Sequence, residues 1–288
     1  MRLLSPVFLT AFVLASLAWA QTAELSVPAQ VMAGSGFSVS SRGSGAGTLY
    51  LIGPSEAIKR AVELGGGLEI AGEELEHAGR YQLVICGAGS CASAGFYVHP
   101  AAPGRLSLLV HPSRVPVSDP NAISAVALVF DDYHNLILEP QPVKFTVIPT
   151  DGAPISETRS SDHGVSWIRL SSSGKGGPAK LEAALDKTTE VRVVQQVASD
   201  ACNLRIKSSL VAGRAHLETD PVRDCNGNAI PDGTVVSFTK QDTSGKTTVD
   251  VPIKRGIATV EMPVSGRARI TVASGVVTGN ELLVGGGK

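Results

Sequence analysis

Asp224-Cys225-Asn226-Gly227-Asn228 leads, through Pro231 and Gly233, into Val236-Ser237-Phe238-Thr239. An earlier stretch runs the same way, from Asp131-Asp132-Tyr133-His134-Asn135 into Val143-Lys144-Phe145-Thr146. Asp131 and Asp224 lie 93 positions apart, as do Asn135 and Asn228, and Phe145 and Phe238. The match continues downstream. Gly164-Val165-Ser166-Trp167-Ile168 answers Gly256-Ile257-Ala258-Thr259-Val260 at an offset of 92, and Ala179-Lys180-Leu181-Glu182-Ala183 answers Ala268-Arg269-Ile270-Thr271-Val272 at 89. An offset that drifts by a few residues marks two copies of one domain whose loops differ in length. It far exceeds the roughly 20–50 residues of a stacked solenoid unit, so each copy carries a core of its own.

Both copies alternate with period two, and with the same parity. Ser166, Ile168 and Leu170 face one way, with Trp167 and Arg169 opposite; Ala258, Val260 and Met262 answer them, with Thr259 and Glu261 opposite. Ala179, Leu181 and Ala183 likewise match Ala268, Ile270 and Val272. A slip by one residue would reverse every side chain, so the agreement fixes which face is buried. One apolar and one wet face is the habit of antiparallel sheets packed as a sandwich. The composition fits, with 31 Gly and 17 Pro punctuating short Val/Ile/Thr-rich runs. Residues 105–198 and 202–288 are therefore read as two such domains, and 21–100 as a further one, with Pro100-Ala101-Ala102-Pro103-Gly104 as a linker by composition. Within the first, Glu24-Leu25-Ser26-Val27, Phe37-Ser38-Val39-Ser40 and Thr48 to Ile52 read as strands, and Tyr81 to Cys86 with Ala94 to Val98 as a hairpin. Ser55 to Val62 is the one stretch with helical character.

Residues 1–20 have the plan of a secretory signal peptide: Arg2, an apolar run from Leu3 to Leu17, then Ala18-Trp19-Ala20 as a small-x-small cleavage site. The run is short for a bilayer span. The mature chain is expected to be exported, periplasmic or extracellular, with no membrane span after cleavage. An oxidising compartment and an even number of cysteines make disulfides the default. Cys86 and Cys91 flank a hairpin turn, and Cys202 and Cys225 would tie the entry of the last domain to its Asn/Gly loop. With 25 Lys+Arg against 26 Asp+Glu and no basic stripe, nucleic acid is not an expected partner.

The run Asp224-x-x-Gly227-Asn228-x-x-Pro231-x-Gly233-Thr234-x-Val236-x-Phe238 resembles the group 1 bacterial immunoglobulin-like domain of the invasin and intimin type. The segments Gly256 to Val260 and Ala268 to Val272 are similar to that family's two closing strands. Residues 105–198 resemble a degenerate copy, with His134-Asn135 in place of Gly-Asn and the loop proline displaced to Pro140. Ala78-Gly79-Arg80-Tyr81 resembles the approach to the penultimate strand of an immunoglobulin domain, but Leu83 stands where such domains carry a disulfide cysteine. The resemblance implies an all-β chain, three tandem immunoglobulin-like β-sandwich domains after a signal peptide, used for adhesion, as a scaffold or as a spacer. It supplies no catalytic residue.

Other constellations were weighed. Asp224 to Asp232 alternates Asp and Asn as a calcium loop does, but Ala229 stands where that loop needs Gly and Val235 where it needs Glu, so a structural turn is expected and no metal or cofactor. Gly245-Lys246-Thr247 lacks the head of a phosphate loop and reads as a hairpin turn. Ser160-Ser161-Asp162-His163 holds triad residue types in one polar loop with nothing to fix their geometry. Asp132 has Cys225 as its counterpart, so the Asp131-Asp132 pair is not a feature of the repeat. Trp167, outward on its strand, is a possible binding surface, either a sugar-stacking platform or a contact anchor. The reading adopted for it is packing against a neighbouring domain or loop. The function expected is non-enzymatic, through an unknown protein or glycan of the cell envelope. The alternatives are a carbohydrate-binding or accessory module serving a separate envelope enzyme, and a hydrolase with an unrecognised site.

Overall fold

The computed structural model describes residues 25–41, 43–87 and 89–286. The signal-peptide reading lies outside them, as does Gly287-Lys288. The chain forms two compact units, residues 1–101 and 102–288.

The first unit contains β1 (Gln30–Met32), β2 (Phe37–Ser40), β3 (Gly45–Ile52), β4 (Ala57–Leu64), β5 (Gly67–Ile70), β6 (Gly79–Gly87) and β7 (Ser90–His99). A five-stranded sheet runs β1-β7-β6-β3-β4 and a two-stranded one pairs β2 with β5. Between them sit Leu49, Leu51, Ile70, Leu83 and Val98, with Tyr81 stacked on Phe96 at 5.5 Å. Two expectations are corrected. Of the strand foreseen at Glu24 to Val27, Glu24 lies outside the described residues and the rest makes a single bridge, Ser26 to Ser40; the regular strand begins only beyond Pro28, which has no N–H to donate. The segment foreseen as helical is β4, an edge strand paired with β3 along its whole length, with Ile58, Arg60, Val62 and Leu64 half-buried and the residues between them exposed. Its helix-forming residues yield to eight cross-strand partners and to the Gly65 turn, whose φ of 96° a helix cannot hold.

The second unit opens with β8 (Pro103–His111), so Pro103 and Gly104 belong to a strand and not to the linker. There follow β9 (Arg114–Pro116), β10 (Ile123–Asp131), β11 (Pro142–Ile148), β12 (Ile155–Ser160), β13 (Val165–Leu170), β14 (Gly177–Leu185) and β15 (Thr188–Val197). The sheets β13-β10-β8 and β12-β11-β14-β15-β9 close on a core that includes Leu108, Ala127, Phe145, Ile168, Leu181 and Val194. The rest of the unit contains β16 (Ala201–Cys202), β17 (Ile206–Val211), β18 (Arg214–Thr219), β19 (Arg223–Asp224), β20 (Val235–Asp242), β21 (Gly245–Pro252), β22 (Thr259–Pro263), β23 (Ala268–Ser274), β24 (Val277–Thr278) and β25 (Leu282–Val284). Here β17-β18-β22 faces β21-β20-β23 around a separate core with Leu217, Phe238, Met262 and Ile270. Every inward position read from the alternation is buried or half-buried, and Trp167, Arg169, Thr259 and Glu261 are exposed. The fold is all-β, built of immunoglobulin-like sandwiches.

The repeated loop has one geometry in both copies. The Asp131 carboxylate is fully buried and accepts the N–H of Tyr133 at 3.0 Å, the N–H of Asn135 at 2.8 Å and the Asn135 side-chain amide at 2.8 Å. Asp224 accepts the N–H of Asn226 at 2.9 Å, the N–H of Asn228 at 2.8 Å and the Asn228 amide at 2.9 Å. In each, the Asp N–H donates to the Asn carbonyl, and the residue before the Asn turns through positive φ, 68° at His134 and 80° at Gly227. A histidine in that conformation costs about 1 kcal/mol more than glycine. In the second copy the loop also holds the preceding sandwich. The Asn228 amide donates to the Gly174 carbonyl and its oxygen accepts the Gly176 N–H, both at 2.9 Å, while Asp224 accepts the Ser199 N–H at 3.2 Å.

Both disulfides expected from the spacing are present. Cys86 and Cys91 are paired across β6 and β7, and Cys202 to Cys225 joins β16 to the loop after β19. The hairpin foreseen at Gly245-Lys246-Thr247 is present, but it turns at Thr243-Ser244, and those three residues begin β21, with Gly245 opposite Asp242. There the Asp242 carboxylate takes the buried Lys240 ammonium at 2.8 Å, the Ser265 N–H and the Ser244 N–H and hydroxyl.

Removing a buried acceptor strands its donors, each at about 1–3 kcal/mol. Asp131→Ala is therefore expected to destabilise its sandwich by about 3–5 kcal/mol in urea unfolding followed by circular dichroism. The bond from Lys240, then those from Ser244 and Ser265, hold Asp242 far below the ordinary carboxylate range. Burial pushes Asp224 up, but its hydrogen bonds from Asn228, Ser199 and Asn226 outweigh that and keep it low. Both folded values are depressed, so the stability they contribute is complete above the unfolded value near 4 and is lost as pH falls below it. Thermal unfolding between pH 7 and pH 2 should show that loss, and Asp242→Asn should flatten it.

Candidate functional site

The outward face of β13-β10-β8 is built by pairing register. Trp167 lies opposite Val126, and Val126 opposite Leu109, so three apolar side chains form one row across three strands. Val165 opposite Leu128 makes the next row, with Phe130 beyond it. Trp167 is 64% exposed and Leu109 59%, so the indole is not covered by loops of its own unit. The alternation put the indole outside; nothing along β13 revealed its partners, which come from two other strands.

The sister sandwich is an internal control. With the same pairing, β22-β18-β17 places Thr259 opposite Glu218 and Glu218 opposite Lys207. Where the first copy has Trp, Val and Leu, the second has Thr, Glu and Lys, with Lys207 and Glu218 ion-paired at 3.0 Å. The next row is polar in both copies, Arg169-Ser124-His111 against Glu261-His216-Ser209, with Arg214 bonded to Glu261 at 3.3 Å. The backbone therefore does not require an apolar row there. The first copy thus leaves a large aromatic exposed on a face where its twin has an ion pair.

Beside Trp167 lies a depression of about 540 Å³ between the end of β12, the turn after it and β13. Its rim carries Asn121, Arg159, Ser160, Asp162 and Arg169. Arg159 is ion-paired with Glu157, and Asp162 meets His163 Nδ1 at 2.6 Å. Arg169 is exposed and has no ion pair among the described residues. Another hollow, of about 580 Å³, lies where the two sandwiches of the second unit meet, walled by Arg114, Asp119, Ser199, Asp200 and Pro231 and holding no aromatic ring.

The remaining sequence candidates have structural partners. The Ser161 hydroxyl accepts the Gln141 N–H and the Ser160 hydroxyl donates to the Ser161 carbonyl, so neither serine is bonded to His163. Asp131 is the buried loop acceptor, while Asp132 is exposed and 3.7 Å from Arg105. The carboxylate of Asp224 faces four N–H donors. No helix among the described residues is long and apolar enough to cross a membrane.

No protein-family model and no curated protein matches the sequence. Solved structures do. The Escherichia coli adhesin FdeC aligns over 92% of this chain and 96% of its own at 13% identity, with a TM-score of 0.61. Yersinia pseudotuberculosis InvD aligns over 92% and 98% at 12% identity, with a TM-score of 0.49. The bacterial integrin-binding protein invasin aligns over 89% of this chain and 57% of its own at 14% identity, with a TM-score of 0.45. At such identities the likeness is one of fold.

Because the twin domain builds the same sheet with threonine, Trp167→Thr should cost under about 1 kcal/mol, the scale of one cross-strand pair. Thermal unfolding checks this, and a loss of several kcal/mol would make the indole a structural residue.

Proposed function

We propose that this chain is an exported, non-enzymatic binding module: tandem immunoglobulin-like sandwiches that act in the cell envelope as an adhesive or scaffold element, periplasmic or extracellular. The single observation that carries the reading is the contrast between the twin faces. Two copies of one domain share backbone, core parity and loop, and differ in that one presents Trp167-Val126-Leu109 where the other presents Thr259-Glu218-Lys207. In such folds function resides in what is grafted onto the frame. The likeness in fold to the adhesin FdeC and the two disulfides, which suit an oxidising compartment, support the reading. In the loop Ser160 to His163 the histidine is bonded to Asp162, and neither serine is bonded to the histidine.

The test is retention of the mature protein on immobilised envelope material from its own cells. Wild type and Thr259→Ala should be held, and Trp167→Thr should wash through. Robust hydrolysis of an ester, peptide or glycoside, surviving repurification and lost on one loop substitution, would overturn the assignment.

A further inference from the structure

We infer that the Trp167 depression is a sugar site and that its ligand is a glycan bearing a carboxylate. The inference rests on the binding-module reading and gives it a ligand class. Size is the first argument. The apolar row crosses three strands, about 10 Å between the outer two at ~4.8 Å spacing. The depression of about 540 Å³ falls within the range of small-ligand sites, about 300–1,000 Å³.

Chemistry is the second argument. A pyranose presents a C–H face that stacks on a flat aromatic and an edge of hydroxyls that need both donors and acceptors. Trp167 supplies the exposed ring. On the rim, the Asn121 amide both donates and accepts, the Asp162 carboxylate accepts, and the Arg159 and Arg169 guanidinium groups donate. The backbone of Asn121 is fixed, its main-chain N–H donating to the Ser171 hydroxyl at 3.2 Å. An apolar ligand would leave these groups desolvated without partners, which disfavours it.

Charge selects among sugars. Arg159 is neutralised by Glu157, and Asp162 is engaged by His163. Arg169 remains, two positions from Trp167 on the same face, unpaired among the described residues. A guanidinium offers two parallel N–H groups that match a carboxylate. A hexuronate and a sialic acid share that chemistry.

The experiment is calorimetric titration of the full mature chain with a tetra-uronate, with sialyllactose and with a neutral gluco-tetrasaccharide. At least one carboxylated sugar should bind about tenfold or more tighter than the neutral one. That preference should fall as salt is raised. Trp167→Ala should weaken binding at least about tenfold, and Arg169→Gln should remove the preference while leaving residual binding. Both side chains are exposed, and circular dichroism of each variant confirms folding. Which acid binds identifies the source of the ligand. No binding, equal binding of the neutral sugar, or binding unchanged in Trp167→Ala would overturn the inference. If wild type is still held on envelope material while every titration is flat, only the sugar assignment falls.

Discussion

The architecture of the second unit depends on two carboxylates placed where water does not reach. Taking an ionised aspartate out of water costs several kcal/mol unless donors surround it. Asp131 and Asp224 meet that condition with backbone N–H groups of their own loops, which would otherwise point inward without partners as the chain reverses. The carboxylate and the turn are thus mutually necessary. That is why the spacing from Asp to Asn is constant between copies whose remaining loops have drifted, and why the glycine of one copy can become His134 in the other at modest cost.

This arrangement explains which parts of the fold are legible in the sequence. The alternation of Ser166, Ile168 and Leu170, and of Ala268, Ile270 and Val272, is enforced by burial of a whole face, so it is written along one strand and is legible there. The cysteine pairs were legible because their spacing matches a hairpin and a loop. Ser55 to Val62 was not, because an edge strand is held by cross-strand partners that local propensity does not encode. The site was legible only in part. Trp167 stood out as outward, yet its row is completed by Val126 and Leu109, residues of two other strands, and only the pairing register brings them together.

The comparison between twins separates frame from graft. Positions facing the core keep their character in both sandwiches, since a change of volume is felt throughout a packed interior. Positions facing water are free to diverge: one row of β13-β10-β8 carries hydrocarbon where β22-β18-β17 carries an ion pair. The loops have diverged differently. Asn228 has spent its amide on Gly174 and Gly176 of the preceding sandwich, so that the turn of one domain also sets the seat of its neighbour.

The strand order decides how the chain answers a pull along its length. The short strand β9 lies parallel to β15, with Arg114, Val115 and Pro116 beside Gln195, Gln196 and Val197. Tension applied between the two ends of that sandwich would drag these parallel strands past one another in shear, loading their hydrogen bonds together instead of unzipping them one at a time. The first unit repeats the device with Gln30 to Met32 alongside Tyr97 to His99. In the last sandwich the Cys202–Cys225 bond spans a separation of 23 residues, a length of chain that no force short of bond rupture or reduction can pay out.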